Sequence, residues 1–593
     1  MNDSKAGRWR LNVLCGLLAA GLLAIAGRVL YIQTHAAELA LWAEHQRLSV
    51  VTVPGRPGDI FGKSTGGYVV MAGSKQAPCC YADPGLLADD EIPEVAQKVA
   101  QAAGTDSQAI LKELNDRRDR RYAVLLRDLT DEQAQAIRKL DLKAVQISYE
   151  WKRQYPLGSL GSQVLGYRQI DGVGAEGLEA KGDRLIAGKP GKKILQTDAA
   201  RRGIYAQLQE FDPPTDGKHL VLTLDVNIQG FLEQSLAEAG EKWGAQAVMG
   251  VVMDPNNGSI LGMASWPTYD PNNYSLARPE ERKNRCLTDP FEPGSVFKSF
   301  IATGAVQMHK ATWKSQFFCH YGCYDAPGGG TIRDFPGEHF GVLPLLDIVV
   351  HSSNIGMAKL GETLGERNLY EIAKAFGFGK ETGIELPGES GGTLLPPSRW
   401  DRGYSLRRVP FGQGPISVTT LQLVTAYSAI ANGGVLYRPR VVDCVLDTDG
   451  KVLWENRPHP VRRVLDAAVS RSAVEDVLAQ VVERGTAKRC RLDKWTIFGK
   501  TGTAQIGGPG GYKDRAYTGT FVGGGPVGSP AVMCGISVYH PDYAKGHAGG
   551  VVAAPFVRDV LARTLTYLDV PPDRDYQTPQ SGVATAGGEV DAE

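Results

Sequence analysis

The sequence predicts an α+β protein held to a membrane by its first residues, and three observations carry that prediction. Basic residues Lys5, Arg8 and Arg10 precede an almost unbroken apolar run over residues 11–27, which Val29-Leu30-Tyr31-Ile32 continue past Arg28. Beyond it, short extended pieces alternate with helical patterns as far as about residue 570. The composition is 42% hydrophobic, enough for more than one core, and 65 Lys+Arg balance 65 Asp+Glu.

That balance argues against nucleic-acid binding, which needs a basic footprint. The 71 glycines and 34 prolines in 593 residues stay below the roughly 25–30% of a low-complexity chain, so disordered and collagen-like classes are excluded. A membrane span takes about 20 apolar residues, a basic flank stays cytoplasmic, and Arg28 can snorkel to the outer interface. Residues 1–10 are therefore expected as a cytoplasmic tail, 11–32 as a transmembrane anchor, and the rest outside the cytoplasm. Ala24-Ile25-Ala26 also fits a signal-peptide cleavage site. The anchor is preferred because apolar character continues beyond it.

Residues 33–215 read as a mixed module, with a strand over 48–53 and helices over 94–103 and 131–140. A second module is expected over 216–570. It opens with a strand at 218–224 and a helix at 228–239, followed by a hairpin over 247–263 turning at Asp254-Pro255-Asn256-Asn257-Gly258. Residues 571–593 are short of large apolar side chains and are expected to be disordered. Nine scattered cysteines form neither a disulfide framework nor a paired zinc pattern. Cys319 and Cys323 leave three readings open: a local disulfide, a fragment of a metal site, or unlinked loop residues.

The chemistry-bearing pattern begins at Glu292-Pro293-Gly294-Ser295-Val296-Phe297-Lys298, which puts a hydroxyl at a helix start and an amine three residues on, sharing a face. A serine hydroxyl needs a base within reach, and a desolvated lysine can supply it. Alone, Ser-x-x-Lys arises about once by chance in this length. Ser352-Ser353-Asn354 follows, however, and then Lys500-Thr501-Gly502-Thr503, expected to end a strand over 495–498. A phosphate loop is excluded because Lys494 stands where its first glycine is required. No Gly-x-Ser-x-Gly elbow surrounds Ser295, which argues against an α/β-hydrolase. The segment Gly507-Gly508-Pro509-Gly510-Gly511 reads either as a hairpin connection or as a mobile lip of a cleft.

In identity and order the three motifs resemble those of the class B penicillin-binding proteins. The resemblance extends to Leu222-Thr223-Leu224-Asp225, Asn284-Arg285, Gly412-Gln413-Gly414 and Ala431-Asn432-Gly433-Gly434. In the first module it takes in Arg153-Gln154-Tyr155-Pro156 and Gly174-Ala175-Glu176-Gly177-Leu178-Glu179. Arg56-Pro57-Gly58-Asp59-Ile60-Phe61-Gly62-Lys63 departs from the family's usual Arg-Gly-x-Ile-x-Asp-Arg. The resemblance implies a pedestal (dimerisation-type) domain and a transpeptidase domain of serine β-lactamase-like fold, an antiparallel sheet flanked by helices. It further implies cross-linking of peptidoglycan stem peptides ending in D-Ala-D-Ala, and covalent capture of β-lactam antibiotics, without cofactor or metal. Ser295 would be the nucleophile, Lys298 its base, Ser352 a proton relay, Asn354 an orienter of the substrate amide, and Lys500 a positive charge beside the site. Thr501 and Thr503 would bind the substrate carboxylate, the N–H groups of Ser295 and Thr503 would form the oxyanion hole, and Gly499 and Gly502 would let the substrate backbone approach. Partners implied are a SEDS-type membrane glycosyltransferase and other division proteins, since Ser-Ser-Asn is typical of the septal branch. An elongation-type enzyme, a serine β-lactamase and a non-catalytic division scaffold are the competing functions.

Overall fold

The computed structural model describes residues 3–36, 48–120, 122–197, 203–328, 330–401, 403–508 and 511–574. The helix Asp3–Thr34 contains an apolar stretch of 27 residues from Arg8 to Thr34, within which an 18-residue window reaches a mean hydropathy of 2.2. At 1.5 Å per residue they reach about 40 Å, more than the ~30 Å of a hydrocarbon core. Among the described residues it is the one helix long and apolar enough to cross a membrane. It belongs to a compact unit of residues 1–56 and 188–216. There Leu48–Val53, Gly191–Thr197 and Gly203–Asp212 form an antiparallel sheet with Gly191–Thr197 in the middle.

Residues 57–187 and 217–593 make the second unit. Its seven-stranded sheet runs Val452–Glu455, Val442–Leu446, His219–Asp225, Ile60–Ser64, Gly67–Ala82, Ala123–Leu126, with Val145–Gln154 also paired to Gly67–Ala82. The strand His219–Asp225 lies parallel to Ile60–Ser64 and antiparallel to Val442–Leu446. Its run Leu-Val-Leu-Thr-Leu is buried throughout, as a strand covered on both faces requires. Three helices, Ile92–Ala103, Ser107–Asp116 and Asp131–Arg138, bury Val95, Val99, Ile110, Leu114 and Ile137 with Cys80 and Ala82 in a separate small core. Their ends are written in the sequence: Asp106 accepts from Gln108 N, Thr130 and Gln133 form a capping box, and Gly104 closes the first helix in the left-handed region.

The first-module segments that carry the family resemblance close on one buried carboxylate. Glu179, wholly buried, accepts from Arg153 Nε at 2.6 Å, Arg168 Nη1 at 3.1 Å and Tyr155 Oη at 3.3 Å. Arg153 Nη1 also donates to Gly58 O at 2.7 Å, and Lys63 reaches Asp443 at 2.6 Å across the sheet, so the departing segment 56–63 makes contacts of its own.

The five-stranded antiparallel sheet has the order Ile260–Trp266, Ala247–Met253, Val532–Tyr539, Gly511–Gly525, Phe498–Gly508. The hairpin expected over 247–263 is its first pair. A side chain at Gly250 would strike Leu232 and Leu236 of the helix Val226–Trp243, whereas one at Gly535 would strike Val424 of the fully buried helix Thr420–Ala431. Gly535 pairs with Val251, so these helices cover opposite faces and the sheet is sandwiched between them.

Two expectations need correction, and the reading left open for Cys319 and Cys323 is settled. Lys500-Thr501-Gly502-Thr503 does not end a strand over 495–498: the strand starts at Phe498 and carries the motif within it to Gly508, because ladder pairing with Gly511–Gly525 continues past the motif. The disorder expected from Pro571 does not begin there, since Asp573 accepts from Thr496 N at 2.6 Å and Arg574 bonds Glu483; residues 575–593 of that tail lie outside the described residues. Cys319 and Cys323 are both free thiols, the first buried with Sγ 3.7 Å from Phe317 O and the second exposed. The glycine-rich segment is a hairpin connection, Gly508 pairing with Gly511, with 509–510 outside the described residues.

Removing Glu179 takes the carboxylate partner from Arg153 and leaves Arg168 with Asp183 alone. Glu179→Ala is expected to cost about 3–5 kcal/mol and to lower the thermal unfolding midpoint of the detergent-solubilised protein; an unchanged midpoint contradicts this.

Candidate active site

The strand Phe498–Gly508 is the outer edge of the five-stranded sheet, and the turn Gly294–Phe297 packs against it. Gly294 has φ +58°, and a Cβ there would lie 2.9 Å from Thr503 O. Its N–H donates to Gly412 O at 3.0 Å. Only glycine satisfies that backbone and that approach. Ser295, half-buried, follows on this turn, and Lys298 N donates to Ser295 O as the helix Lys298–Gln307 begins. Tyr427 Oη donates to Val296 O at 2.6 Å and its ring meets Phe300, around which Phe297, Phe376 and Phe378 pack edge-on or tilted, fixing the turn from behind.

Both lysines are wholly buried. Lys298 Nζ lies 2.5 Å from Ser352 O, 2.7 Å from Asn354 Oδ1 and 3.1 Å from Ser352 Oγ. Lys500 Nζ lies 3.0 Å from the same Ser352 Oγ and 3.2 Å from Thr501 O. One hydroxyl therefore bridges two amines. Burial pushes Lys298 well below the ordinary lysine range, the Lys500 charge adds to that push, and Asp334 opposes it. Burial alone brings Lys500 down to about 7. The donors and acceptors balance when Lys298 is neutral: its two N–H groups go to the carbonyl and amide oxygens, its lone pair accepts from Ser352 Oγ–H, and that oxygen accepts from Lys500.

Ser352 ends the helix Leu345–His351 in the left-handed region, φ +62°, and Ser353 caps the helix Asn354–Ala375 by accepting from Gly356 N at 3.0 Å. This corner turns Ser352 O and Asn354 Oδ1 onto one amine. Asn354 Nδ2 donates to Arg333 O at 2.9 Å, so in this state its carboxamide holds Lys298 to the loop, with both ends engaged. Asp334 accepts from Asn354 N at 2.6 Å, Ile355 N at 3.1 Å and Ser353 Oγ at 3.0 Å. Sequence reading missed it, since nothing beyond an acid in a loop marks it.

Thr501 and Thr503 share a face of the edge strand, opposite Lys500 and Gly502. Thr501 Oγ1 is 2.6 Å from Thr486 Oγ1, and Thr503 Oγ1 accepts from Gly549 N at 3.1 Å, leaving its own proton to donate. Thr486 and Gly549 carried no sequence signal either. The glycines at 499 and 502 have a reason within the protein itself. A side chain at Gly502 would stand 3.0 Å from Pro293 O and Val296 Cγ1, and one at Gly499 would stand 2.5 Å from Val522 O. The structure thus gathers the Ser295 turn, Lys298, Ser352, Asn354, Lys500 and Gly502 where the turn, the second-motif corner and the edge strand meet, with the Thr503 backbone beside Gly294 and the side chains of Thr501 and Thr503 on the strand's other face.

A model of the penicillin binding protein transpeptidase domain matches residues 248–562, and one of the penicillin-binding protein dimerisation domain matches residues 53–222. The chain belongs to the class B penicillin-binding proteins. It is 30% identical to the probable peptidoglycan D,D-transpeptidase PbpC of Pseudomonas aeruginosa over 97% of this chain and 98% of that one. It is 28% identical to the peptidoglycan D,D-transpeptidase FtsI of Escherichia coli K12, covering 95% and 93% of the two chains. Penicillin binding protein 3 from Mycobacterium tuberculosis, solved complexed with aztreonam, superimposes with TM-score 0.67 at 27% identity, covering 88% of this chain and 98% of that one.

For a class B penicillin-binding protein with this turn, Gly294→Ala is expected to lower the penicillin acylation rate at least about tenfold, a barrier increase of ~1.4 kcal/mol; stopped-flow labelling at the wild-type rate contradicts it. Lys500 is a cation below its pKa and neutral above it, so its attraction for an anionic ligand is present below about 7 and lost as pH rises through that value. The ratio of acylation rates for a penicillin and its methyl ester is therefore expected to fall between about pH 6 and about pH 8, and a flat ratio contradicts this assignment.

Proposed function

We propose that the chain is a septal peptidoglycan D,D-transpeptidase working through a serine acyl-enzyme. The observation that carries this reading is the pair of buried lysines sharing Ser352 Oγ beside the Ser295 turn. Neutral Lys298 takes the Ser295 proton as the hydroxyl attacks the penultimate D-Ala carbonyl, and the N–H groups of Ser295 and Thr503 stabilise the oxyanion, about 3–4 kcal/mol per donor. Ser352, between the amines, passes a proton to the leaving D-Ala nitrogen. A neighbouring stem amine then attacks the ester, its proton returning through the same relay, and Ser295 is regenerated with the cross-link formed. Thr501 and Thr503 hydrogen-bond the terminal carboxylate, Lys500 supplies positive charge beside the site, and Asn354 orients the substrate amide once its resting contacts yield. β-Lactams enter the same path and remain on Ser295.

The domain division proposed is a cytoplasmic tail at 1–10, anchor at 11–32, pedestal at 33–215, transpeptidase at 216–570 and a tail at 571–593. The basic flank orients the amino terminus to the cytoplasm and the catalytic domain outside it. The septal assignment is supported by Ser352-Ser353-Asn354 and by the FtsI relative. A SEDS-type glycosyltransferase and division proteins are the partners proposed, on the resemblance to the septal branch of the family.

Ser295→Ala is expected to abolish covalent labelling by fluorescent penicillin in a protein that still folds, and Lys298→Ala to act almost as strongly. Labelling that survives Ser295→Ala defeats the acyl-enzyme reading, rapid release from wild type indicates a β-lactamase, and no labelling at all indicates a scaffold. Depletion is expected to give filaments or chains with failed septa. Rounded cells with normal septa contradict the septal role.

A further inference from the structure

The four N–H groups at the start of the helix Asn354–Ala375 all find acceptors, and two of them find the same side chain. Ser353 N donates to Ile348 O at 3.0 Å and Gly356 N to Ser353 Oγ at 3.0 Å, while Asn354 N and Ile355 N go to Asp334 Oδ1. Ser353 Oγ in turn donates to the Asp334 carboxylate. Asp334 comes from outside the helix, just after the strand Gly330–Arg333, and is buried, 8% exposed. A helix start attracts an anion, and Ser353 alone caps this one. A buried carboxylate added to a cap already made calls for a further reason.

That reason lies in what the held residues do. Ser352 O and Asn354 Oδ1 grip the Lys298 amine on either side of Ser353, and Arg333 O, next to Asp334, takes the other end of the Asn354 amide. Any drift of the helix start along its axis would open both grips. We propose that Asp334 is a positioning residue of the transpeptidase site, clamping the Ser352-Ser353-Asn354 corner against Lys298 and supplying a buried negative charge that acts on that amine. The inference rests on Lys298 as the base. The charged groups that act on Lys298 are Lys500, from the edge strand, and Asp334, from the loop; their effects oppose each other, and burial works with Lys500. Asp334 thus keeps the amine basic enough to accept the Ser295 proton when burial and Lys500 push the other way.

The test is the pH profile of penicillin acylation, kacyl/Kd, for full-length detergent-solubilised protein carrying Asp334→Asn, Asp334→Glu or Lys298→Ala. Asparagine keeps an acceptor for the two N–H groups and removes the charge. The rising limb of the profile is expected to move to lower pH by about one unit, with the plateau rate reduced about tenfold by the weaker base. Glutamate keeps the charge and displaces the clamp, so its limb is expected at the wild-type position with a lower plateau. If Asp334→Asn does not fold, the glutamate variant decides alone, and a displaced limb there overturns the proposal. An asparagine variant that folds and keeps the wild-type limb, losing only thermal stability, reduces Asp334 to a helix cap and overturns it as well. Lys298→Ala separates the layers: a dead variant beside an unmoved Asp334→Asn limb removes the Asp334 proposal alone, while wild-type acylation by Lys298→Ala removes the base reading and this inference with it.

Discussion

Two lysine amines buried against one serine hydroxyl cannot both carry charge cheaply, and much of the transpeptidase domain is arranged around that constraint. Water is excluded from Lys298 and Lys500, so each needs oxygen partners from the protein. Those partners come from a left-handed corner between two helices and from the strand that carries Lys500 itself. The corner is fixed by Asp334 and Ser353, the Ser295 turn by Tyr427 and the phenylalanine cluster around Phe300, and the strand by its ladder with Gly511–Gly525. Loosening any of the three would leave a buried amine short of an acceptor, a cost of several kcal/mol when a charge is involved.

The sheet topology carries the same logic outward. The helix Thr420–Ala431, which supplies Tyr427, is buried along its whole length between the five-stranded sheet and the Ser295 turn. Its position is therefore set by the core rather than by the site. The pedestal strands Ile60–Ser64 and Gly67–Ala82 are continuous with His219–Asp225 and Val442–Leu446, so the two modules of this class B protein meet through backbone ladders as well as side chains. Glu179, enclosed by Arg153 and Arg168, is the pedestal's counterpart of the lysine pair: a buried charge made tolerable by partners drawn from separate motifs.

Much of this was legible in the sequence because it is periodic or because it is a motif. The apolar run gave the helix Asp3–Thr34, the alternation at 247–263 gave the sheet's first hairpin, and Lys298, Ser352, Asn354 and Lys500 meet in space beside the turn that carries Ser295. Long-range pairing was not legible. The edge strand begins at Phe498 because its hydrogen-bonding partner lies at 511–525, and no local signal marks where a ladder starts. Asp334, Thr486 and Gly549 touch the motifs only through folding, at separations that no spacing rule covers. Gly499 and Gly502, read as room for a substrate, are also required by Val522 O and Pro293 O, because close packing inside a protein leaves the same trace in a sequence as close packing against a ligand.

The account stands on the charge state of the two buried amines, and direct titration tests it most sharply. In full-length protein with 15N-labelled lysine, the Lys298 and Lys500 Nζ resonances, assigned by single Lys→Arg substitution, should report two amines titrating far below ordinary lysines. Lys500 is expected to change near 7, and Lys298 to lose its proton well below the ordinary lysine range. Both resonances remaining those of ammonium groups up to about pH 10 would contradict the account, since no buried base would then face the Ser295 hydroxyl.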